Sequence, residues 1–151
     1  MIPKDQTRLH RGDKPEERGN CFPAVIASIL EIDVEDVIQI QEHYNEDDWH
    51  VKLTYWLGKM GYDYCSADHF KCFHPDLQHQ LRWDTGEDVD EYMERLRNEY
   101  KDQYYLVSGR SPRNKSINHI VIFKNGIMIH DPHPDKTGIE TIENFTMLEH
   151  K

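Results

Sequence analysis

"YYLVSGRSPRNKSINHIVIFKNGIMIHDP", residues 104 to 132, changes the period of the chain and decides its fold class. Ahead of it apolar residues recur at helical spacing. Within it they alternate or run in short β-branched stretches, the pattern of strands. Three strands are predicted, "YYLVSGR", "NHIVIFK" and "IMIHDP", with "KNG" closing the last two into a hairpin. The register of that hairpin fixes which side chains meet, because side chains alternate along a strand and paired residues share a face. A two-residue Asn125-Gly126 turn pairs Lys124 with Ile127 and leaves Asp131 on the face opposite His119. A three-residue loop of Lys124, Asn125 and Gly126 pairs Phe123 with Ile127 and sets His119 opposite Asp131. The sequence suits the second form, a type I turn closed by glycine in the left-handed region. We therefore expect it, with a positive φ at Gly126 and a carboxylate oxygen within hydrogen-bond reach of the His119 ring.

Working back from the sheet, "GNCFPAVIASIL" (19 to 30) carries Phe22, Val25, Ile26 and Ile29 at helical spacing, predicting a helix over about 21–31. Asn20 is placed to cap it, and Pro23 is tolerated in its first turn. "DVEDVIQI" reads as a short second helix capped by Asp33, and "HVKLTYWLGKMG" as a third, closed by Gly61. "YDYCS" is a short strand candidate, and "DVDEYMERLRNEY" an amphipathic helix. Helices first and an antiparallel sheet second make an α+β protein. With 151 residues and neither a repeat nor a linker, one domain over residues 1–151 is expected.

Bulk properties narrow the partners. Acidic residues outnumber basic ones 28 to 18, which argues against nucleic acid and anionic membrane, since both reward basic surfaces. No apolar run approaches the roughly 20 residues of a membrane span. The polar N-terminus "MIPKDQTRLHRGDKPEERG" is unlike a signal peptide. Three cysteines, Cys21, Cys65 and Cys72, form an odd set that suits reduced thiols in a cytoplasm. "CSADHFKCFH" places Cys65, His69, Cys72 and His74 in a spacing unlike the usual structural zinc patterns, and no metal is expected there. Trp49, Trp56 and Trp83 read as core or rim aromatics.

The chemistry-bearing residues are few. A thiol becomes a strong nucleophile as the thiolate, and the free N–H groups of a helix N-terminus favour that charge. Cys21 stands at such a position. His119 opens the strand "HIVIF" directly after the irregular loop "GRSPRNKSIN", where an imidazole can reach another element. Asp131, twelve residues on in "HDPHP", can hold that imidazole in the useful tautomer and stabilise its cation. Arg110 and Arg113 flank Pro112 in the loop before His119, where guanidinium groups can grip a substrate carboxylate or phosphate. Asn20, beside the nucleophile, joins them as a substrate-binding candidate. An ordinary solvent-facing loop is the alternative for the arginines.

The order Cys, His, Asp in "GNCFPAVIASIL", "HIVIF" and "DP" resembles the papain-like cysteine peptidases, and within them the bacteriocin-processing type. That resemblance implies a papain-like fold, with N-terminal helices packed on a C-terminal antiparallel sheet. It also implies an acyl-enzyme mechanism without a cofactor, acting on a peptide, protein or small-amide substrate. Cys21 would attack, His119 would move the proton, and Asp131 would orient His119. Where that family has a glutamine six residues before the cysteine, this chain has Pro15, and Gln6 stands fifteen residues upstream. Gln6 either belongs to a terminal arm or, if "RLHRGDKPEERG" loops out, returns as the second oxyanion donor beside the Cys21 backbone N–H. Two other outcomes stay open on the same residues. One is a transamidase or acyltransferase whose acyl-enzyme is resolved by an amine, and the other a non-catalytic binding or inhibitor protein on this scaffold.

Overall fold

The computed structural model describes residues 1–65, 98, 101–140 and 143–151. The expected helix over 88–100, the Cys65–His74 cluster and Trp83 lie outside the residues whose side chains are described. Helix α1 spans Cys21–Leu30 and helix α2 spans Trp49–Lys59. Strands β1 (Tyr62–Cys65), β2 (Tyr104–Arg110), β3 (Asn118–Lys124), β4 (Ile127–His130) and β5 (Asn144–His150) form one antiparallel sheet ordered β1-β5-β2-β3-β4. Helices precede most of the sheet, so the chain is α+β. No helix among the described residues is long and apolar enough to cross a membrane.

Helix α1 is the centre of the fold. Pro23 through Ser28 are all buried, so the middle of the helix is enclosed on every side and is apolar except for Ser28, whose hydroxyl donates to Ala24 O at 2.8 Å. It packs against β3, joining Val25 and Ile26 to Leu53 and Leu57 of α2 and to Leu106, Ile120 and Ile122 of the sheet. Truncating Ile26 to alanine here costs about 2–5 kcal/mol by loss of burial plus the cavity left behind. Pro23 falls in the first turn, where its missing N–H interrupts nothing. The helix stops at Glu31, which takes a left-handed φ of 60°.

Three expectations need correction. Asn20 precedes α1 but makes no side-chain cap bond. Its side-chain amide is used instead on Thr7, Arg8 and Gln39. "DVEDVIQI" is not a helix but two 3-10 turns, Val34–Asp36 and Ile40–His43, and Asp33 makes no cap bond. Val37 is extended between the turns, and the Gln39 side-chain amide donates to the carbonyls of Val34 (3.0 Å) and Val37 (2.9 Å), diverting groups that a helix would have used.

The hairpin is the third. Lys124 pairs with Ile127, so the turn is the two-residue Asn125-Gly126 form, with φ of 53° and 76° at its two positions. The positive φ at Gly126 holds; the three-residue loop does not. The ladder then shifts, with Phe123 opposite Met128 but Ile122 opposite His130. Ile129 is the extra residue, a bulge that moves the frame by one. Continuing the alternation past the Ile122–His130 pair puts Asp131 on the side of Val121 and His119. Strand β5 was not among the expected strands, and it lies between β1 and β2, joining β1 to the rest of the sheet.

Candidate active site

His119 is the second residue of β3 and lies opposite Gly109 of β2, where no side chain crowds it. The imidazole is 4% exposed, and its Nε2 donates to Asp131 Oδ1 at 2.6 Å. Asp131 is itself enclosed, 2% exposed, and carries two further donors: the backbone N–H of His133 to Oδ1 (2.9 Å) and that of Gly138 to Oδ2 (2.7 Å). Those bonds come from the turn "DPHPDKTG", which curls back so that two main-chain N–H groups face one carboxylate. Gly138 makes that return at φ 79°. Lys136 closes the turn from behind, donating to the Asp131 carbonyl at 2.7 Å and pairing with Asp5 of the N-terminal arm.

The electrostatics follow from this packing. Burial alone lowers the His119 pKa, but hydrogen bonds to Asp131 and to the Cys21 side chain, with the charges of both, outweigh it and raise His119 to about 9. Burial pushes Asp131 upward, yet the bonds from His119, His133 and Gly138 prevail and hold it below the ordinary carboxylate range. With Nε2 committed to Asp131, Nδ1 is the ring nitrogen left for the thiol. His133 stands at the same place, its ring edge-on to His119 at 6.2 Å between centroids. Its pKa is lowered, first by burial and then by the Arg113 cation.

Cys21 opens α1, is partly exposed, and lines a cleft of about 810 Å³ together with His119 and Gln6. Gln6 is brought there although fifteen residues separate it from Cys21. Residues 7–20 leave the site and return, closed at the base by Asn20 N to Arg8 O (3.0 Å) and further out by Arg11 N to Glu17 O (2.8 Å). On the side of the nucleophile, Phe22, Tyr44, Trp49 and Tyr64 also line the cleft. The four rings meet in two pairs, Phe22–Tyr64 (6.5 Å between centroids) and, edge-on, Tyr44–Trp49 (5.2 Å).

The remaining sequence candidates are placed differently. Asn20 is fully buried and does not line the cleft, so it is not positioned to touch substrate. Arg113 does line it, but its Nη1 donates to Asp135 (2.8 and 3.1 Å to the two oxygens) and to Thr137 (3.1 Å). It fastens the loop before His119 to the turn that holds Asp131. Arg110 is half-buried at the end of β2, its carbonyl accepting Glu140 N, and it is not among the cleft residues. Sequence reasoning did not find the His133 and Gly138 donors or the aromatic wall. The glycine seven residues after Asp131 in a polar turn is the one signal that pointed to the former. No group of residues that could hold a metal ion occurs among the described residues.

Comparison with family models, with curated proteins and with solved structures finds no match to this chain.

Proposed function

We propose that this protein is a papain-like thiol hydrolase that cleaves a peptide, isopeptide or other amide bond through Cys21, His119 and Asp131. The observation that carries the reading is the buried 2.6 Å contact between His119 and Asp131, set beside Cys21 in one cleft. A carboxylate hydrogen-bonded to an imidazole next to a helix-borne thiol is the arrangement nucleophilic catalysis needs. A packing role for the same three residues would not call for it.

His119 takes the Cys21 proton, and the thiolate at the N-terminus of α1 adds to the carbonyl carbon. The oxyanion forms where the Cys21 backbone N–H and the Gln6 amide can donate. His119 returns the proton to the leaving amine, the C–N bond breaks, and a thioester remains. Water, deprotonated by His119, then releases the acid and restores the thiol. Asp131 keeps the imidazole in one orientation and balances its charge throughout. A free thiol nucleophile suits a reducing compartment such as a cytoplasm.

Limiting iodoacetamide followed by mass spectrometry tests this. Cys21 should label well ahead of Cys65 and Cys72, and His119→Ala should remove that advantage. Preferential labelling of Cys65 or Cys72 would overturn the reading.

A further inference from the structure

We propose that Asn20 is the positioning residue that holds the Gln6 amide at the nucleophile, and that Gly19 leaves the space the amide occupies. This rests on the thiol-hydrolase reading, with Gln6 as the oxyanion donor. The starting point is that Gln6 is poorly held by its own side chain. Its Oε1 is buried with no hydrogen-bond partner among the described residues, and Nε2 donates one hydrogen to Arg8 O at 2.9 Å. The position of the amide therefore depends on the backbone around it. On one side that backbone is pinned by Gln6 N to Pro132 O at 2.9 Å.

On the other side the pin is Asn20. Its Oδ1 accepts the backbone N–H groups of both Thr7 (3.0 Å) and Arg8 (2.9 Å), the two residues after Gln6. Its Nδ2 donates to Thr7 Oγ1 (2.8 Å) and to Gln39 Oε1 (3.1 Å). Every hydrogen-bonding position of the side-chain amide is thereby used, at full burial. The main chain of Asn20 completes the link. Its N–H donates to Arg8 O, the same oxygen that receives Gln6 Nε2, and its carbonyl accepts Ala24 N–H at 3.0 Å to begin α1. One carbonyl thus joins the oxyanion donor to the residue preceding the nucleophile. Gly19 completes the fit, since a Cβ there would stand 3.1 Å from Gln6 Nε2 and 2.9 Å from His10 N. Residues 8–19 can make their excursion without loosening Gln6, because Asn20 ties both ends of it.

Two reagents separate positioning from stability. p-Nitrophenyl acetate reacts by addition: the Cys21 sulfur bonds to the acetyl carbon, the carbonyl oxygen takes up negative charge, and collapse expels p-nitrophenolate. Iodoacetamide alkylates the same sulfur by displacing iodide and forms no oxyanion. The ratio of the two rates at Cys21 reads the oxyanion hole, and a general loss of folded protein cancels from it. Gln6→Ala should lower the ratio by roughly 100-fold, the usual cost of one oxyanion donor. Asn20→Leu should lower it by about tenfold or more, and should add nothing in the Gln6→Ala background, because both act through one group. Asn20→Asp keeps an oxygen for Thr7 N and Arg8 N but turns its second oxygen toward Gln39 Oε1, so it should recover part of the ratio lost in Asn20→Leu. Gly19→Ala, which removes no hydrogen bond, should lower it too, and serves where Asn20→Leu does not fold. A ratio lowered by Gln6→Ala but untouched by Asn20→Leu and Gly19→Ala overturns this inference alone. A ratio indifferent to Gln6→Ala overturns the role of Gln6 itself, and with it the inference.

Discussion

His119 meets Asp131 because Ile129 lies unpaired in β4. With the two-residue turn and no bulge, the alternation would send Asp131 to the opposite face; the extra residue restores it to the histidine's side. Deleting Ile129 therefore should not break the pair. It would make Phe123–Met128 and Ile122–His130 consecutive pairs of a regular ladder, with Asp131 next in line on the same side as before. We expect the deletion variant to keep preferential iodoacetamide labelling of Cys21. Loss of that preference in a folded deletion variant would show that the frame is set elsewhere.

Titration of His119 has a defined direction. Its folded-state pKa, about 9, is above the ordinary 6.5, so the stability it contributes is full below 6.5 and is lost as pH rises through about 9. Asp131 is depressed, so its contribution is present above the ordinary carboxylate value of 3.8 and lost as pH falls through its lower folded value. Removing the carboxylate charge in Asp131→Asn should bring the His119 midpoint down and move the alkaline loss of stability to lower pH. An imidazole NMR titration of both proteins decides it; an unchanged midpoint would detach Asp131 from His119.

Local signals and long-range ones fared differently. Cys21 at the head of α1 is readable because helical spacing and a first-turn proline are short-range features. The meeting of His119 with Asp131 is readable as a need for matched faces, but the device is not. An Asn-Gly turn is compatible with both loop lengths, and the bulge is chosen by where His130 and Asp131 are held: His130 Nε2 bonds Lys4 O at 2.7 Å, across 126 residues of sequence. Strand β5 fails the local test because "NFTMLEH" contains helix formers and three consecutive buried residues; its pairing with both β1 and β2 makes it a strand. Asn20 looks like a cap by residue type, and only the folded-back arm reveals its use.

Arg113 should behave as a fastener and not as a substrate grip. Its partner Asp135 belongs to the Asp131 turn, and the pair is partly exposed, so Arg113→Ala should cost at most about 1 kcal/mol of stability. It should leave the preference between acidic and neutral peptide probes unchanged, measured as the ratio of Cys21 labelling rates. A selective loss of reactivity toward the acidic probe would restore the arginine to substrate binding.

The cleft beside Cys21 should favour a bulky apolar group next to the scissile carbonyl. Its aromatic side chains are not sealed in the core: Tyr44 is 39% exposed, and Leu9, which lines the same cleft, is 46% exposed. Of the two arginines among the described residues that line the cleft, one is neutralised by a carboxylate and the other is held by neutral acceptors, and Asp13 on the same cleft repels an acidic group. Arg18 is committed to Gln41 O (2.9 Å) and Asn45 Oδ1 (2.8 Å), and Arg113 to Asp135. A benzyl side chain half-buried on that wall gains on the order of 1–2 kcal/mol, or about tenfold, while a carboxylate loses hydration, meets the Asp13 charge, and must draw Arg18 from its bonds to Gln41 and Asn45 to regain a partner. Three peptidyl acyloxymethyl ketones, identical except for a benzyl, methyl or carboxyethyl side chain, make the comparison at Cys21. The benzyl compound should label fastest and the carboxyethyl compound slowest, and Tyr44→Ser should shrink the advantage of benzyl over methyl. Equal rates for all three would show that the rings shape the cleft without selecting its occupant.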